Sequence, residues 1–129
     1  MKTILVADDY DWQVRELIEK LKTRYTVEYV SDGRQAIERI AKGGLDGAVL
    51  DWEMPPSGMK EDEARRFYGD NVAREARRLQ PNLVLVLRST IAGRFAETLK
   101  PHDVFCHIKR YGPDDDKPVL DYLQSRLGE

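Results

Sequence analysis

The feature that most constrains the fold of this chain is an alternation between short apolar runs and segments with helical periodicity. Most of the apolar runs lack the polar alternation of a half-exposed strand, which indicates strands that are buried on both faces. Because helical segments separate them, we predict an α/β fold in which a parallel sheet lies between two helical layers. The five predicted strands are residues 4–7, 26–30, 47–50, 83–87 and 104–108.

The segments between these runs place apolar residues three or four positions apart, which predicts amphipathic helices. The region 59–80 is predicted to form two helical pieces that divide at Gly69, with Asp70 as the cap of the second piece. The other predicted helices lie after the first run, after the turn Ser31-Asp32-Gly33, over 92–99, and over about 116–127 with the acidic run 114–116 as its cap.

The composition limits the classes of protein to which the chain can belong. Its 129 residues predict one domain, and a net charge of −2 gives no support to binding nucleic acid or anionic membrane through bulk charge. The lone cysteine, Cys106, excludes an internal disulfide and is typical of a reducing compartment. The first aspartates follow only four apolar residues, and no apolar run approaches the ~20 residues of a membrane span. We therefore expect a cytoplasmic protein with no membrane partner.

Polar residues follow four of the five predicted strands at the point where each strand ends. Asp8 and Asp9 follow the first strand, Asp51 the third, Ser89 the fourth and Lys109 the fifth. The carboxyl ends of parallel strands lie on one edge of the sheet, where open α/β sheets bind their ligands. We therefore expect three carboxylates, a hydroxyl and an ammonium group to converge there.

This set of groups has a chemical logic. Clustered carboxylates repel one another unless a cation intervenes, and oxygen ligands at an open edge suit Mg²⁺. A carboxylate can also act as a nucleophile and form an aspartyl-phosphate, while a nearby lysine pairs with the phosphate. A single aspartate after a strand is more often a helix cap, so the prediction depends on the joint pattern.

At these positions the sequence resembles the receiver domain of bacterial response regulators. Residues 4–9, Ile-Leu-Val-Ala-Asp-Asp, and the turn Ser31-Asp-Gly carry part of the resemblance. The segment Asp51-Trp-Glu-Met-Pro is close to the family's Asp-x-x-Met-Pro phosphorylation signature. Ser89 and Lys109 align with the family's hydroxyl after strand four and its lysine after strand five. The resemblance covers nearly the whole chain.

The resemblance implies a flavodoxin-like three-layer sandwich, with a five-stranded parallel sheet of order 2-1-3-4-5 and helices on both faces. It implies that Asp51 accepts a phosphoryl group from a histidine kinase or histidine phosphotransfer protein. The domain would signal to a downstream protein by conformational change. It would assist its own phosphorylation and dephosphorylation without acting as an enzyme on an outside substrate.

The resemblance also implies a ligand set for Mg²⁺. Asp9 and Asp51 would bind the ion directly, Asp8 mainly through water, and the backbone carbonyl of Glu53 would complete the protein ligands. Ser89 and Lys109 would respond to the phosphoryl group.

Several positions differ from the family pattern. Arg110 follows the strand-five lysine where the family usually has a proline, so we expect a different loop there. Cys106 stands at the usual place of the switch aromatic, and Arg88 stands where an apolar residue is expected.

The predicted single receiver domain, 1–129, contains an extended segment, 56–69, directly after the phosphorylation loop. This segment is a candidate for an altered output surface, with Phe67 and Tyr68 as two aromatic anchors in a charged rim.

Other functions stay open at this point. A degenerate receiver would bind proteins without being phosphorylated. A Mg²⁺-dependent phosphohydrolase would use Asp51 as nucleophile, although Glu53 stands where an acid/base aspartate is expected. A flavin carrier is disfavoured because the loop Asp8-Asp9-Tyr10-Asp11 lacks hydroxyls and glycines to hold a phosphate.

Two further patterns favour ordinary structural roles. The histidines and Cys106 between residues 102 and 107 match no standard zinc spacing. The arginines at 65, 66, 74, 77 and 78 are interspersed with Glu61, Glu63 and Glu75, which is typical of a solvated helical face. No reader motif accompanies these arginines, so we expect no nucleic-acid partner through this domain.

Overall fold

The structure, a computed structural model, describes residues 1–9 and 11–128. The predicted domain 1–129 therefore includes two residues, Tyr10 and Glu129, that lie outside the described residues. The strands are β1 Thr3–Ala7, β2 Thr26–Val30, β3 Gly47–Leu50, β4 Val84–Ser89 and β5 Val104–Ile108. The helices are α1 Asp11–Lys22, α2 Gly33–Ala41, α3 Glu61–Ala64, α4 Gly69–Leu79, α5 Ala96–Leu99 and α6 Lys117–Leu127, with 3₁₀ turns at Arg65–Phe67, Ala92–Phe95 and Lys100–His102.

The five strands form one parallel sheet of order β2-β1-β3-β4-β5, as the resemblance implied. The pairing places Ala7 beside Leu50, and Leu50 beside Leu87, so the three central strands end at nearly the same level. Every residue of β3 and β4 is buried, which agrees with the apolar sequence of β3 and of the first four residues of β4. The last two residues of β4, Arg88 and Ser89, are buried polar residues. This alignment brings the residues that follow the strands to one edge.

Two apolar cores confirm the predicted helical layers on both faces of the sheet. One core packs the sheet against α2 and α4, and the other packs it against α1 and α6. Representative buried residues of the first core are Ala36, Ile40, Val72 and Ala76, and those of the second are Val14, Leu17, Val119 and Leu123. No helix in the described part of the chain is long and apolar enough to cross a membrane.

Two glycines hold the chain that follows β3 close to the body of the fold. A Cβ on Gly33 would lie 2.1 Å from the carbonyl oxygen of Phe67, and a Cβ on Gly69 would lie 2.1 Å from that of Asp51. The Gly69 N–H also donates to the Trp52 carbonyl at 2.7 Å. Only glycine allows these approaches, so α4 begins directly against the backbone of the residue after β3.

The two aromatic residues of segment 56–69 pack inward, and the prediction that they form aromatic anchors on its surface is wrong. Phe67 is only 7% exposed, and the guanidinium groups of Arg34 and Arg66 lie over its ring. Tyr68 is half-buried, with its ring edge-on to Trp52 at a centroid distance of 4.6 Å. The charged residues that flank these aromatics stay in solvent while the rings turn inward, which a count of charges along the segment does not reveal.

The predicted cap at Asp70 is wrong, and the acidic run 114–116 supplies the N-cap residue of α6 without a side-chain capping bond. Tyr68 occupies the N-cap of α4, and the Asp70 carboxylate instead accepts hydrogen bonds from Trp52 Nε1 at 3.0 Å and from Arg74 at 2.9 Å. Asp116 stands at the N-cap of α6, but its side chain accepts no capping hydrogen bond. Its carboxylate accepts from the buried Arg88 guanidinium at 3.0 Å, because a buried charge requires a partner more than a helix end requires a cap.

The loop after β5 is shaped by its own polar contacts. The Arg110 N–H donates to the Asp115 carboxylate at 3.0 Å, and Tyr111 adopts a left-handed backbone conformation with φ of 58°. The same Asp115 carboxylate lies 3.3 Å from His107 Nε2. These contacts tie the loop to the end of β5.

Candidate functional site

The carboxyl edge of the sheet carries a solvent-accessible cavity of about 420 Å³. Its position follows from the strand alignment, since β1, β3, β4 and β5 each deliver polar residues to it. It is lined by Asp9, Asp51, Trp52, Glu53, Ser89, Thr90, Ile91, Lys109 and Tyr111.

Three carboxylates meet at this cavity as predicted. One oxygen from each of Asp8, Asp9 and Asp51 lies within 4.8 Å of the others. Asp8 is buried beneath the cavity, Asp51 is half-buried and Asp9 is exposed, so the cluster runs from the interior to the surface. A set of carboxylate oxygens that opens toward solvent matches the preference of Mg²⁺ for a few protein oxygens together with waters or phosphate oxygens.

Lys109 closes the cluster from the β5 side. Its Nζ lies 3.3 Å from Asp8 Oδ2 and 3.4 Å from Asp51 Oδ1, and the lysine is only 6% exposed. One buried ammonium group therefore joins carboxylates from β1 and β3 that are far apart in the sequence. It offsets only part of their negative charge, because three carboxylates share the site.

The excess negative charge appears in the titration of the cluster. The pKa of Asp51 is raised to about 6, chiefly by burial and then by the charge of Asp8, while the charge of Lys109 lowers it. Burial also raises the pKa of Asp9, followed by the charges of Asp8 and Glu53. A cation at this edge would favour the ionised form of both groups, so the donor set fits a divalent metal.

Ser89 and Glu53 lie where the sequence predicts them, on the wall of the cavity. Ser89 is buried at the end of β4, and its Oγ accepts a hydrogen bond from the Ile91 N–H at 3.3 Å. Glu53 is exposed, two residues after Asp51. The structure therefore brings together all the predicted site residues, with Asp8 forming the floor.

Two contacts at the site have no signal in the sequence. The Tyr29 hydroxyl, at the end of β2, donates to the carbonyl oxygen of Asp8 at 2.5 Å and so fixes the loop that carries the first two carboxylates. Trp52 stacks on Phe95 at a centroid distance of 5.8 Å, with the ring planes 25° apart. This stack joins the loop after β3 to the turn that follows β4.

The zinc alternative finds no support in the fold. Asp8, Asp9 and Asp51 form the only group of potential metal ligands within the described residues. Cys106 packs toward the core on the α2 and α4 face, whereas His107 Nε2 lies 3.3 Å from the Asp115 carboxylate.

The curated proteins to which this chain is similar are response regulators. No family model matches the sequence. Response regulator MprA of Mycolicibacterium vanbaalenii is 36% identical over 96 residues, which cover 72% of this chain and 38% of that protein. Response regulator MprA of Mycobacterium sp. strain KMS is 30% identical over an alignment 144 residues long, which covers 96% of this chain and 59% of that protein. The chain thus spans less than two thirds of the length of these curated relatives.

Solved structures agree with the curated relatives over nearly the full chain. A response regulator receiver protein from Sinorhizobium medicae has a TM-score of 0.77 and 27% identity, and the match covers 98% of this chain and 94% of that one. Response regulator protein TrrA from Thermotoga maritima, solved in complex with Mg(2+)-BeF, has a TM-score of 0.70 and 26% identity, covering 95% of this chain and 99% of that one.

Proposed function

This chain belongs to the receiver domains of response regulators in two-component systems, and on that premise we propose that Asp51 is its phosphoacceptor. The phosphoryl donor would be a histidine kinase or a histidine phosphotransfer protein. The observation that carries this proposal is the contact of one buried ammonium group, Lys109 Nζ, with the carboxylates of Asp8 and Asp51 beside an acidic cluster.

The proposed transfer begins with a carboxylate oxygen of Asp51. It attacks the phosphorus of a phosphohistidine, the P–N bond breaks, and its electron pair stays on the imidazole nitrogen, which then takes a proton. Because the pKa of Asp51 is about 6, its side chain is ionised in most molecules near pH 7 and is available as a nucleophile. The raised pKa also makes the carboxylate more basic than an ordinary aspartate.

The other site residues would hold the charge that arrives with the phosphoryl group. Asp8, Asp9, Asp51 and the Glu53 carbonyl would hold Mg²⁺, which when bound neutralises charge on the phosphoryl oxygens. Lys109 would pair with one phosphoryl oxygen as a point charge, and the Ser89 hydroxyl would donate to another. Ser89 currently accepts from Ile91, so its own proton remains available for this bond.

The consequence of phosphorylation would be a change in the surface offered to a downstream protein. The stacked rings of Trp52 and Phe95 support this, because they link the residue after Asp51 to the turn after Ser89. The proposed domain spans 1–129, with the segment 56–69 next to the proposed phosphorylation loop.

Intact mass measurement after incubation with acetyl phosphate and Mg²⁺ tests the proposal. The unmodified chain should gain the mass of one phosphoryl group, and Asp51→Asn should gain none. Asp62→Asn removes an exposed carboxylate from α3 and is the matched control, so it should gain the mass as the unmodified chain does. A folded chain that gains no mass would instead favour a phosphorylation-independent binding module, and a mass gain in Asp51→Asn would refute the assignment of the acceptor.

The proposed metal ligands are tested separately by titrating Mg²⁺ while following tryptophan emission. Trp52 adjoins Asp51, so bound Mg²⁺ should change its fluorescence. Asp9→Asn should weaken binding because it removes one of the three carboxylates of the cluster. An unchanged Mg²⁺ affinity in this variant would contradict the proposed ligand set.

A further inference from the structure

A groove between α2 and α4, on the face of the sheet that carries the Ala36 and Val72 core, is lined by a dense set of guanidinium groups. Its volume is about 730 Å³, and it lies away from the carboxylate cluster. Arg66, Arg74, Arg77 and Arg78 line it together with a single carboxylate, that of Glu75. The sequence pattern predicted a solvated helical face, but the fold gathers these four arginines around one concave surface.

The positive charge of this groove is only partly balanced. Arg78 pairs with Glu75, and Arg74 pairs with Asp70 at 2.9 Å. Within residues 1–9 and 11–128, the other two guanidinium groups form no ion pair with a carboxylate. Four guanidinium groups therefore face two carboxylates, which leaves an excess of two positive charges on a chain whose net charge is −2.

These charges are held in place before any ligand binds. Arg77 donates to the carbonyl oxygens of His102 at 2.8 Å and Pro81 at 2.7 Å, so its guanidinium is fixed. Arg66 is exposed, and its guanidinium lies 5.3 Å from the centre of the buried Phe67 ring. A guanidinium that is already ordered loses less entropy when it binds a carboxylate or another planar anion.

We propose that this groove binds an acidic segment of a partner protein, whose carboxylates pair with Arg66 and the neighbouring guanidinium groups. Ile37 contributes an apolar wall, which favours a segment that alternates acidic and apolar side chains. The three exposed carboxylates of α3, at 61–63, directly precede the 3₁₀ turn that carries Arg66. They would repel a long polyanion such as nucleic acid or a continuous anionic membrane, whereas a short segment avoids them.

The test uses the full, unphosphorylated chain, because the inference does not depend on phosphorylation of Asp51. The probe is a short fluorescein-labelled peptide of alternating glutamate and leucine, followed by fluorescence anisotropy at about 20 mM and about 150 mM salt. We expect binding at low salt that weakens as salt rises. Arg66→Gln should lower the affinity about fivefold, since it removes one exposed but preordered charge. Arg66→Lys, which keeps the charge, should retain part of the affinity.

Arg15→Gln is the matched control, because it removes an exposed arginine from α1, which packs on the opposite face of the sheet. It should bind the peptide as the unmodified chain does, and far-UV circular dichroism should show that all variants are folded. Equal affinities of Arg66→Gln and Arg15→Gln, or no binding at low salt, would overturn the proposal. Tighter binding of an oligothymidine or of phosphatidylserine vesicles than of the peptide would overturn it as well.

Discussion

Replacing the central carboxylate of the site should make the fold more stable at neutral pH. In Asp51→Asn the side chain keeps its shape but carries no charge. The pKa of Asp51 is raised to about 6, chiefly by burial and then by the charge of Asp8, so ionising this group in the folded state costs free energy. The asparagine variant avoids that cost, which is a stability gain at the residue on which the proposed function depends.

The size of this stability gain follows from the difference between the pKa of Asp51 in the folded and in the unfolded chain. The pKa rises from 3.8 to about 6, and this shift corresponds to about 3 kcal/mol of unfolding free energy as an upper bound. The Asp51 side chain retains 11% of its exposure at the edge of the cavity, so solvent screening reduces the expected gain to about 2 kcal/mol. Between pH 3.8 and about 6 the folded state holds a proton that the unfolded state has released. The stability of the unmodified chain therefore falls as pH rises through this window and is level above it.

Urea unfolding in the presence of EDTA at about pH 4 and about pH 7.5 measures this effect. The two chains should differ little at the lower pH, and the variant should have the higher midpoint at the upper pH, by about 1 M urea. The control Asp62→Asn, on exposed α3, should leave the midpoint unchanged at both values. The reasoning is refuted if Asp51→Asn is equally stable or less stable than the unmodified chain at the upper pH.

Three further predictions follow from other contacts. Mg²⁺ affinity, measured by Trp emission, should fall as pH drops through about 6, because protonated Asp51 is a poor ligand; an affinity that is constant from pH 7.5 to pH 5 would contradict this. Arg88→Met should lower the unfolding free energy by about 3 kcal/mol, because it leaves the Asp116 carboxylate buried without its main partner. The double variant Arg88→Met with Asp116→Leu should recover most of this loss in the same urea assay. Tyr29→Phe removes the hydrogen bond to the Asp8 carbonyl and should weaken Mg²⁺ binding about threefold with little change in stability; an equal affinity would show that the hydroxyl does not position the loop.

Much of the fold and most of the site could be predicted because they depend on local patterns. The apolar runs predicted all five strands, and the rule that parallel strands end at a common edge predicted that Asp8, Asp51 and Lys109 would meet. The order of the strands could not come from periodicity, because each run would fit any position in the sheet. It came from the resemblance to receiver domains.

The features that the sequence did not predict depend on pairs that are distant along the chain. Arg88 is buried because its guanidinium group pairs with Asp116, which lies 28 positions later. Nothing in the local sequence around either residue indicates this pair. Phe67 directly follows two arginines in the sequence, yet its ring is buried and lies under the guanidinium group of Arg34 from α2. In each case, whether the side chain is buried is decided by an element that a local pattern does not include.

The contacts of the Lys109 ammonium group with Asp8 and Asp51 have a consequence for the order in which the protein folds. Lys109 lies 101 positions after Asp8 and 58 after Asp51, so a ribosome completes the acidic cluster long before it adds the ammonium group that offsets part of its charge. Until β5 joins β4, the growing sheet carries three neighbouring carboxylates with no cation from this strand. Mutual repulsion therefore opposes closure of that edge in the nascent chain, and the arrival of β5 relieves it. β5, an edge strand with four half-buried residues, thus gains its place partly through an attraction at its end. The proposed phosphorylation site is completed only when the sheet is.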